Sequence, residues 1–158
     1  MGVEIERKYK VKDLSFKNLA KGILYRQGYL AMSPDSTVRV RVYNNKGFLT
    51  VKGAVTGIER AEFEYEIPFE DAQNMIDSLC HKPIIEKYRY KINYEGYTWE
   101  VDEFIGENSP LVIAEIELSR ADEKFTVPEW VGEEVTGDKR YYNSKLVKNP
   151  YSKWIKED

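Results

Sequence analysis

Charged side chains one residue apart recur along this chain and define its chemical options. Glu4, Glu6 and Lys8 open the series. Arg39 stands with Arg41, Glu62 with Glu64 and Glu66, Lys87 with Arg89 and Lys91, Glu100 with Asp102, and Glu115 with Glu117. The sign is sorted by segment, acids in some and bases in others. Side chains two apart on a strand share a face and lie about 7 Å from one another. Their repulsion is about 0.6 kcal/mol in water and about 2 kcal/mol at an effective dielectric of 20. On an open sheet face that is minor. In an enclosed space it demands counter-ions, cations between carboxylates and an anion between bases. Carboxylate oxygens suit divalent metals, and Lys and Arg suit a polyanion. Metal, phosphate oxygens and bases together equip phosphoryl transfer.

The elements that must position these groups read as strands. Apolar residues occupy the opposite phase: Val3, Ile5, Tyr9 and Val11; Val38, Val40 and Val42; Leu49 and Val51; Phe63, Tyr65 and Ile67; Tyr88, Tyr90 and Ile92; Trp99 and Val101; Ile116 and Leu118. Such alternation predicts half-buried strands. Residues 25–31 form a further predicted strand. Asn44-Asn45-Lys46-Gly47 and Tyr94-Glu95-Gly96 read as hairpin turns, and residues 106–110 as a longer loop. Helices are predicted over 14–21, 70–80, 122–125 and 139–147, with Ala72, Met75, Ile76 and Leu79 giving the second its apolar stripe. The sum is a β-dominated α+β protein, an antiparallel sheet or closed barrel of about eight strands. Periodicity leaves open which face points inward. A solvated sheet face and a barrel with its charges inside both satisfy it.

Composition narrows the function classes. The 158 residues carry 24 Lys+Arg against 27 Asp+Glu, for a net charge of −3. That excludes the simplest basic nucleic-acid binder, and no nucleic-acid partner is expected. An apolar fraction of 42% excludes an acidic disordered chain. One Cys and one His exclude a disulfide framework and a Cys/His zinc site. Cys80 reads as core, and His81 as a charge at the end of the 70–80 helix. Tyr88, Tyr90 and Trp99 read as a packing stripe under helices. The charged start and the brevity of the longest apolar run, residues 111–114, point to a cytoplasmic protein with no membrane span.

The run Glu4-Ile5-Glu6-Arg7-Lys8 resembles the ExExK signature of the CYTH superfamily, the triphosphate tunnel metalloenzymes. The resemblance continues in order. Arg26-Gln27-Gly28-Tyr29-Leu30 is similar to the second strand, Val38-Arg39-Val40-Arg41 to the RxR strand and Leu49-Thr50-Val51-Lys52 to the TxK strand. Residues 62–66 resemble the central acidic strand and residues 86–90 the KxR strand. Residues 99–102 and 114–117 resemble the late acidic strands, and residues 137–143 the tail of small bacterial members. The match spans about residues 2–145.

This resemblance implies an eight-stranded antiparallel closed barrel, helices outside, forming one domain over 1–158 with a tail from about 146. It implies hydrolysis of a triphosphate inside the tunnel with Mg²⁺ or Mn²⁺, inorganic tripolyphosphate being the leading substrate. Class IV adenylate cyclase, a thiamine or nucleoside triphosphatase, and a non-catalytic polyphosphate-binding module are the competing readings. Glu4, Glu6, Glu115, Glu117 and Asp102 are the implied metal ligands. Lys8, Tyr29, Arg39, Arg41, Lys52, Lys87, Arg89, Lys139 and Arg140 are the implied substrate contacts. Glu4, Glu6, Lys8, Lys52 and Glu64 are the implied catalytic groups. Strand phase admits only one of Arg26 and Tyr29 to the interior, and Tyr29 is favoured. The expected partner is a small-molecule triphosphate, bound by a monomer or homodimer.

Overall fold

The alternating segments become strands in a computed structural model, which describes residues 2–154. They are β1 (Gly2–Val11), β2 (Ile23–Met32), β3 (Ser36–Tyr43), β4 (Lys46–Gly53), β5 (Glu59–Ile67), β6 (Ile85–Tyr94), β7 (Tyr97–Ile105), β8 (Val112–Glu117) and β9 (Val131–Glu134). Two α-helices accompany them, α1 (Phe69–Ser78) and α2 (Asn143–Lys148). The strand order is β5-β4-β3-β2-β6-β7-β8-β1, and β1 pairs back onto β5. Residues 2–5 of β1 meet β5 and residues 6–10 meet β8, so eight antiparallel strands close into a barrel. The short β9 lies against Tyr9 and Val11 beyond β5. The hairpin turns fall as the sequence predicts. Asn44, Asn45, Glu95 and Gly96 all take positive φ, which two-residue turns between twisted strands require.

Most apolar side chains of the alternating segments face outward, where many are covered, while Val3, Phe63 and Tyr65 stay exposed. Trp99 is fully buried beside Tyr9, Phe125 and Trp130. Helix α1 lays Ala72 and Ile76 over Val40, Val42 and Cys80. Its approach is close enough that a Cβ at Gly47 would stand 2.6 Å from that of Ala72. A third cluster is the exception: Ile85, Phe104 and Ile113 share the inward phase of Lys87, Asp102 and Glu115, and they pack with Tyr29 and with Leu146 of the C-terminal segment. With the apolar phase committed outward, the charged phase turns into the barrel.

Four expectations change. Over 14–21 only a 3-10 turn forms, Ser15–Asn18. Residues 122–125 form no helix. Glu123 instead accepts from the Ser119 amide and hydroxyl at 2.7 Å and from the Tyr97 hydroxyl, pinning an extended loop. The 139–147 helix splits into a 3-10 turn, Lys139–Tyr141, and α2, whose first residues line the interior rather than sitting wholly outside. Tyr88 remains outward and exposed, whereas Tyr90 packs edge-on to Phe16. The end of the expected tail, 155–158, lies outside the described residues. No helix among the described residues is long and apolar enough to cross a membrane.

Candidate active site

The barrel encloses a cavity of about 220 Å³. Its described lining carries seven bases (Lys8, Arg39, Arg41, Lys52, Arg60, Lys87, Arg89) and seven acids (Glu4, Glu6, Glu62, Glu64, Glu100, Glu115, Glu117). The near-neutral net charge of the chain is thus repeated inside it, with every group crowded against the others. Strand register decides who faces whom. Lys8 stands opposite Glu115, Lys52 opposite Glu62, and Arg89 opposite Asp102. Glu6 stands opposite Glu117, and Glu100 opposite Glu115. Like charges directly across a ladder are destabilising, so these acid–acid positions are where a cation is wanted.

The paired groups are anchored firmly. Lys8 Nζ donates to Glu115 at 2.7 Å and lies 3.7 Å from Glu6. Burial acts to lower the Lys8 ammonium, but Glu115 and Glu6 outweigh it and hold it well above the usual lysine value. Lys52 Nζ donates to both oxygens of Glu4, at 3.0 and 3.2 Å, and lies 3.4 Å from Glu62. Burial pushes the Glu4 carboxyl up, yet Lys52 prevails and holds it below its usual value. Glu64 receives the Thr50 hydroxyl at 2.8 Å and lies 3.5 and 3.4 Å from Arg39 and Arg41. All of these contacts go to one oxygen, Oε2, which aligns the two arginines.

Glu6 and Glu117, to which no described side chain donates a hydrogen bond, behave differently. Glu6 keeps a quarter of its side chain exposed to the cavity. Burial first, then Glu115 and Glu4, push its carboxyl up to about 8 against the opposing pull of Lys8. Glu117 is raised by burial and by Glu4, Glu62 and Glu100. Among the described residues no three acids converge as a finished metal cage. The lysines hold Glu4 and Glu115 aside. The donor set nonetheless fits a hard divalent cation, because Glu6, Glu117 and Glu4 offer oxygens under mutual repulsion that such an ion would relieve.

Three expected site residues are not brought to the cavity. Asp102 is 1% exposed, with Arg89 bidentate at 2.7 and 2.8 Å and Lys87 at 2.8 Å. Its oxygens are held by two cations, and it lies behind those bases, outside the cavity lining. Arg140 folds back onto Asp138 at 2.7 Å and over the Tyr141 and Trp154 rings. Lys139 is exposed and absent from the lining. The same tail segment instead contributes Tyr142 and Asn143. Tyr142 lies 6.0 Å from the Lys8 ammonium. Asn143 Oδ1 accepts from Lys87 at 2.9 Å and from Gln27 at 3.0 Å. Tyr29 lines the cavity, whereas Arg26 lies outside against Gln73, Asp77 and Glu86. Arg60 is an added lining base. The phase of Glu62 and Glu64 carried back two residues finds it.

The raised carboxyl of Glu6 makes a pH prediction. The folded protein binds that proton more tightly than the unfolded chain. The associated stability is therefore present below the ordinary value of 4.5 and lost as pH rises through about 8. A divalent cation bound by the carboxylate restores it only where the proton has left. The rise in Tm on adding Mg²⁺ should be larger at pH 9 than at pH 6, measured by thermal denaturation. An equal rise at both would remove Glu6 from the ion's ligands.

Known proteins give an independent comparison. The CYTH domain family matches residues 2–147. An inorganic triphosphatase of Acetivibrio thermocellus is 61% identical over 151 residues, covering 96% of this chain and 97% of that one. An inorganic triphosphatase of Nitrosomonas europaea is 37% identical over 148 residues, covering 91% and 96%. A crystal structure of an inorganic triphosphatase superimposes with a TM-score of 0.67 at 33% identity, covering 91% and 93%. A Hippeastrum protein studied as an adenylyl cyclase, with dominant triphosphatase activity, gives a TM-score of 0.57 at 19% identity over 74% and 80% of the chains. At that identity the likeness is one of fold alone.

Proposed function

The chain belongs to the CYTH domain family, and on that premise we propose that it hydrolyses inorganic tripolyphosphate to pyrophosphate and phosphate. The observation that carries this reading is the cavity lining, in which seven bases and seven acids share one enclosed space and Glu6 stands across the ladder from another acid, Glu117. Such a space is suited to a compact polyanion together with cations. The 61% identity to an inorganic triphosphatase across nearly the whole chain supports the same substrate.

Arg39, Arg41, Arg89, Lys52 and Lys8 bind and orient the phosphate chain. Arg offers a planar fork to two oxygens and Lys a point charge. Glu4, Glu6 and Glu117 would hold a divalent cation, Mg²⁺ or Mn²⁺, with Glu115 joining when Lys8 turns toward substrate. When bound, the ion supplies charge neutralisation and polarisation of phosphate oxygens. Lys52 and Lys8 change partners on loading, exchanging carboxylates for phosphate oxygens, so their charge is not left uncompensated. The bases stabilise charge on the departing pyrophosphate, mainly through fixed position. The enclosing wall limits water to what the phosphate chain does not displace.

The test is product identification from tripolyphosphate and from ATP, with and without divalent ion. Phosphate release supports the hydrolase. Cyclic AMP from ATP would assign the lyase reaction instead, and binding without turnover in any metal would assign a binding module.

A further inference from the structure

Three aromatic rings on the inward phase of their strands belong to none of the three buried apolar clusters. Tyr25 shares the inward phase of Gln27 and Tyr29, Tyr43 that of Arg39 and Arg41, and Phe48 that of Thr50 and Lys52. Tyr25 and Tyr43 stack at 4.2 Å between centroids with planes 4° apart, and Phe48 continues the stack at 5.2 Å. Tyr43 and Phe48 flank the β3–β4 turn, which places the stack at one end of the barrel. None of the three rings lines the cavity, but the arginines beside them do. The Arg41 guanidinium lies 5.2 Å from the Tyr25 ring centre and 5.5 Å from that of Tyr43, and Arg89 lies 5.0 Å from Tyr25.

The two arginines are anchored by different means. Arg89 gives two hydrogen bonds to Asp102, so an acid fixes it and takes two of its five N–H donors. Arg41 has one long contact, 3.4 Å to a Glu64 oxygen already shared with Thr50 and Arg39. Its Nε is buried without a partner among the described residues. An aromatic face attracts a guanidinium through its quadrupole and takes no N–H donor in doing so. A cation held this way stays in place with its hydrogen bonds unspent.

We propose that Tyr25, backed by Tyr43 and Phe48, is the positioning residue for Arg41, holding its guanidinium at the cavity with donors free for a phosphate oxygen. The inference rests on the triphosphatase reading and extends it to a residue that touches no substrate. Steady-state kinetics on tripolyphosphate with Mg²⁺, alongside Tm, test it in Tyr25→Leu, Tyr25→Phe, Arg41→Ala and the Tyr25→Leu/Arg41→Ala double variant. Tyr25→Leu should raise KM about tenfold, equivalent to about 1.4 kcal/mol, with kcat changed less than about threefold. Tyr25→Phe keeps the ring and should keep the wild-type KM. In the double variant the KM should equal that of Arg41→Ala alone. An unmoved KM in Tyr25→Leu, damage of equal size in Tyr25→Phe, or additive effects in the double variant would each overturn the proposal. If Tyr25→Leu does not fold, the half-buried Tyr43→Leu carries the test. It should raise KM about threefold, and no rise there overturns the proposal equally. Wild-type protein that neither binds nor cleaves tripolyphosphate would mark failure of the triphosphatase reading itself. Wild-type turnover with an unmoved KM in the variants sinks only the role of Tyr25.

Discussion

Replacing Glu6 with Gln should cut divalent-metal-dependent turnover by about 10²–10³-fold, the scale on which one fixed electrostatic contact to the reacting groups acts. The substitution keeps the shape of the side chain and removes its charge. Its effect on the fold should run the other way. Glu6 faces Glu117 across the ladder, and burial with Glu115 and Glu4 pushes its carboxyl up to about 8. In metal-free protein above that pH the ionised group is a liability, so Glu6→Gln should have an equal or higher Tm. Activity and stability moving in opposite directions is the mark of a group kept for its ligand. Loss of both together would make Glu6 a structural partner of Lys8. Turnover and Tm of the same preparation, each at pH 9, separate the two.

Asp102→Ala should have the largest effect on stability. The carboxylate is the shared partner of Arg89 and Lys87, and all three side chains are at least nine-tenths buried. Burial acts first to raise its carboxyl, but Arg89 and Lys87 outweigh that and bring it to about 2. Burial acts oppositely on Lys87 and pushes its ammonium down to about 7 in spite of Asp102. Removing the acid leaves the Arg89 guanidinium buried without its carboxylate and strips Lys87 of the partner that keeps its proton, a loss of about 3–5 kcal/mol. For a chain of this size that lowers Tm by roughly 6–20 °C. Asp102→Asn, which keeps acceptor geometry without charge, should fall between. An Asp102→Ala protein with unchanged Tm and abolished metal affinity would return Asp102 to the metal ligands.

Much of this barrel could be read from one dimension because β-structure has a period of two. Once Val40 and Val42 are assigned outward, Arg39 and Arg41 must point inward, and the same step places Glu4, Glu6, Lys8, Lys52, Lys87 and Arg89. Phase does not report depth. Asp102 shares its phase with Glu100, yet the register puts it opposite Arg89, where two cations consume it. Phase also ends where strands end. The segment after Gly137 enters a 3-10 turn, in which each residue rotates about 120° from the last. The tail match therefore identified the segment that reaches the cavity, while the residues that arrive are Tyr142 and Asn143 rather than Lys139 and Arg140. Strand β9 has only four residues and no alternation to announce it. The stack of Tyr25, Tyr43 and Phe48 joins rings from three strands, and no spacing in the sequence encodes that meeting.

On the proposed function, the charges inside the barrel serve cleavage of a triphosphate. ³¹P NMR of tripolyphosphate incubated with the purified protein tests it most directly. The expected result is one pyrophosphate and one phosphate per tripolyphosphate consumed, with turnover dependent on added Mg²⁺ or Mn²⁺, abolished by a chelator and lost in Glu6→Gln. Tripolyphosphate that remains intact with every divalent ion, or is cleaved equally in the presence of chelator, would contradict it.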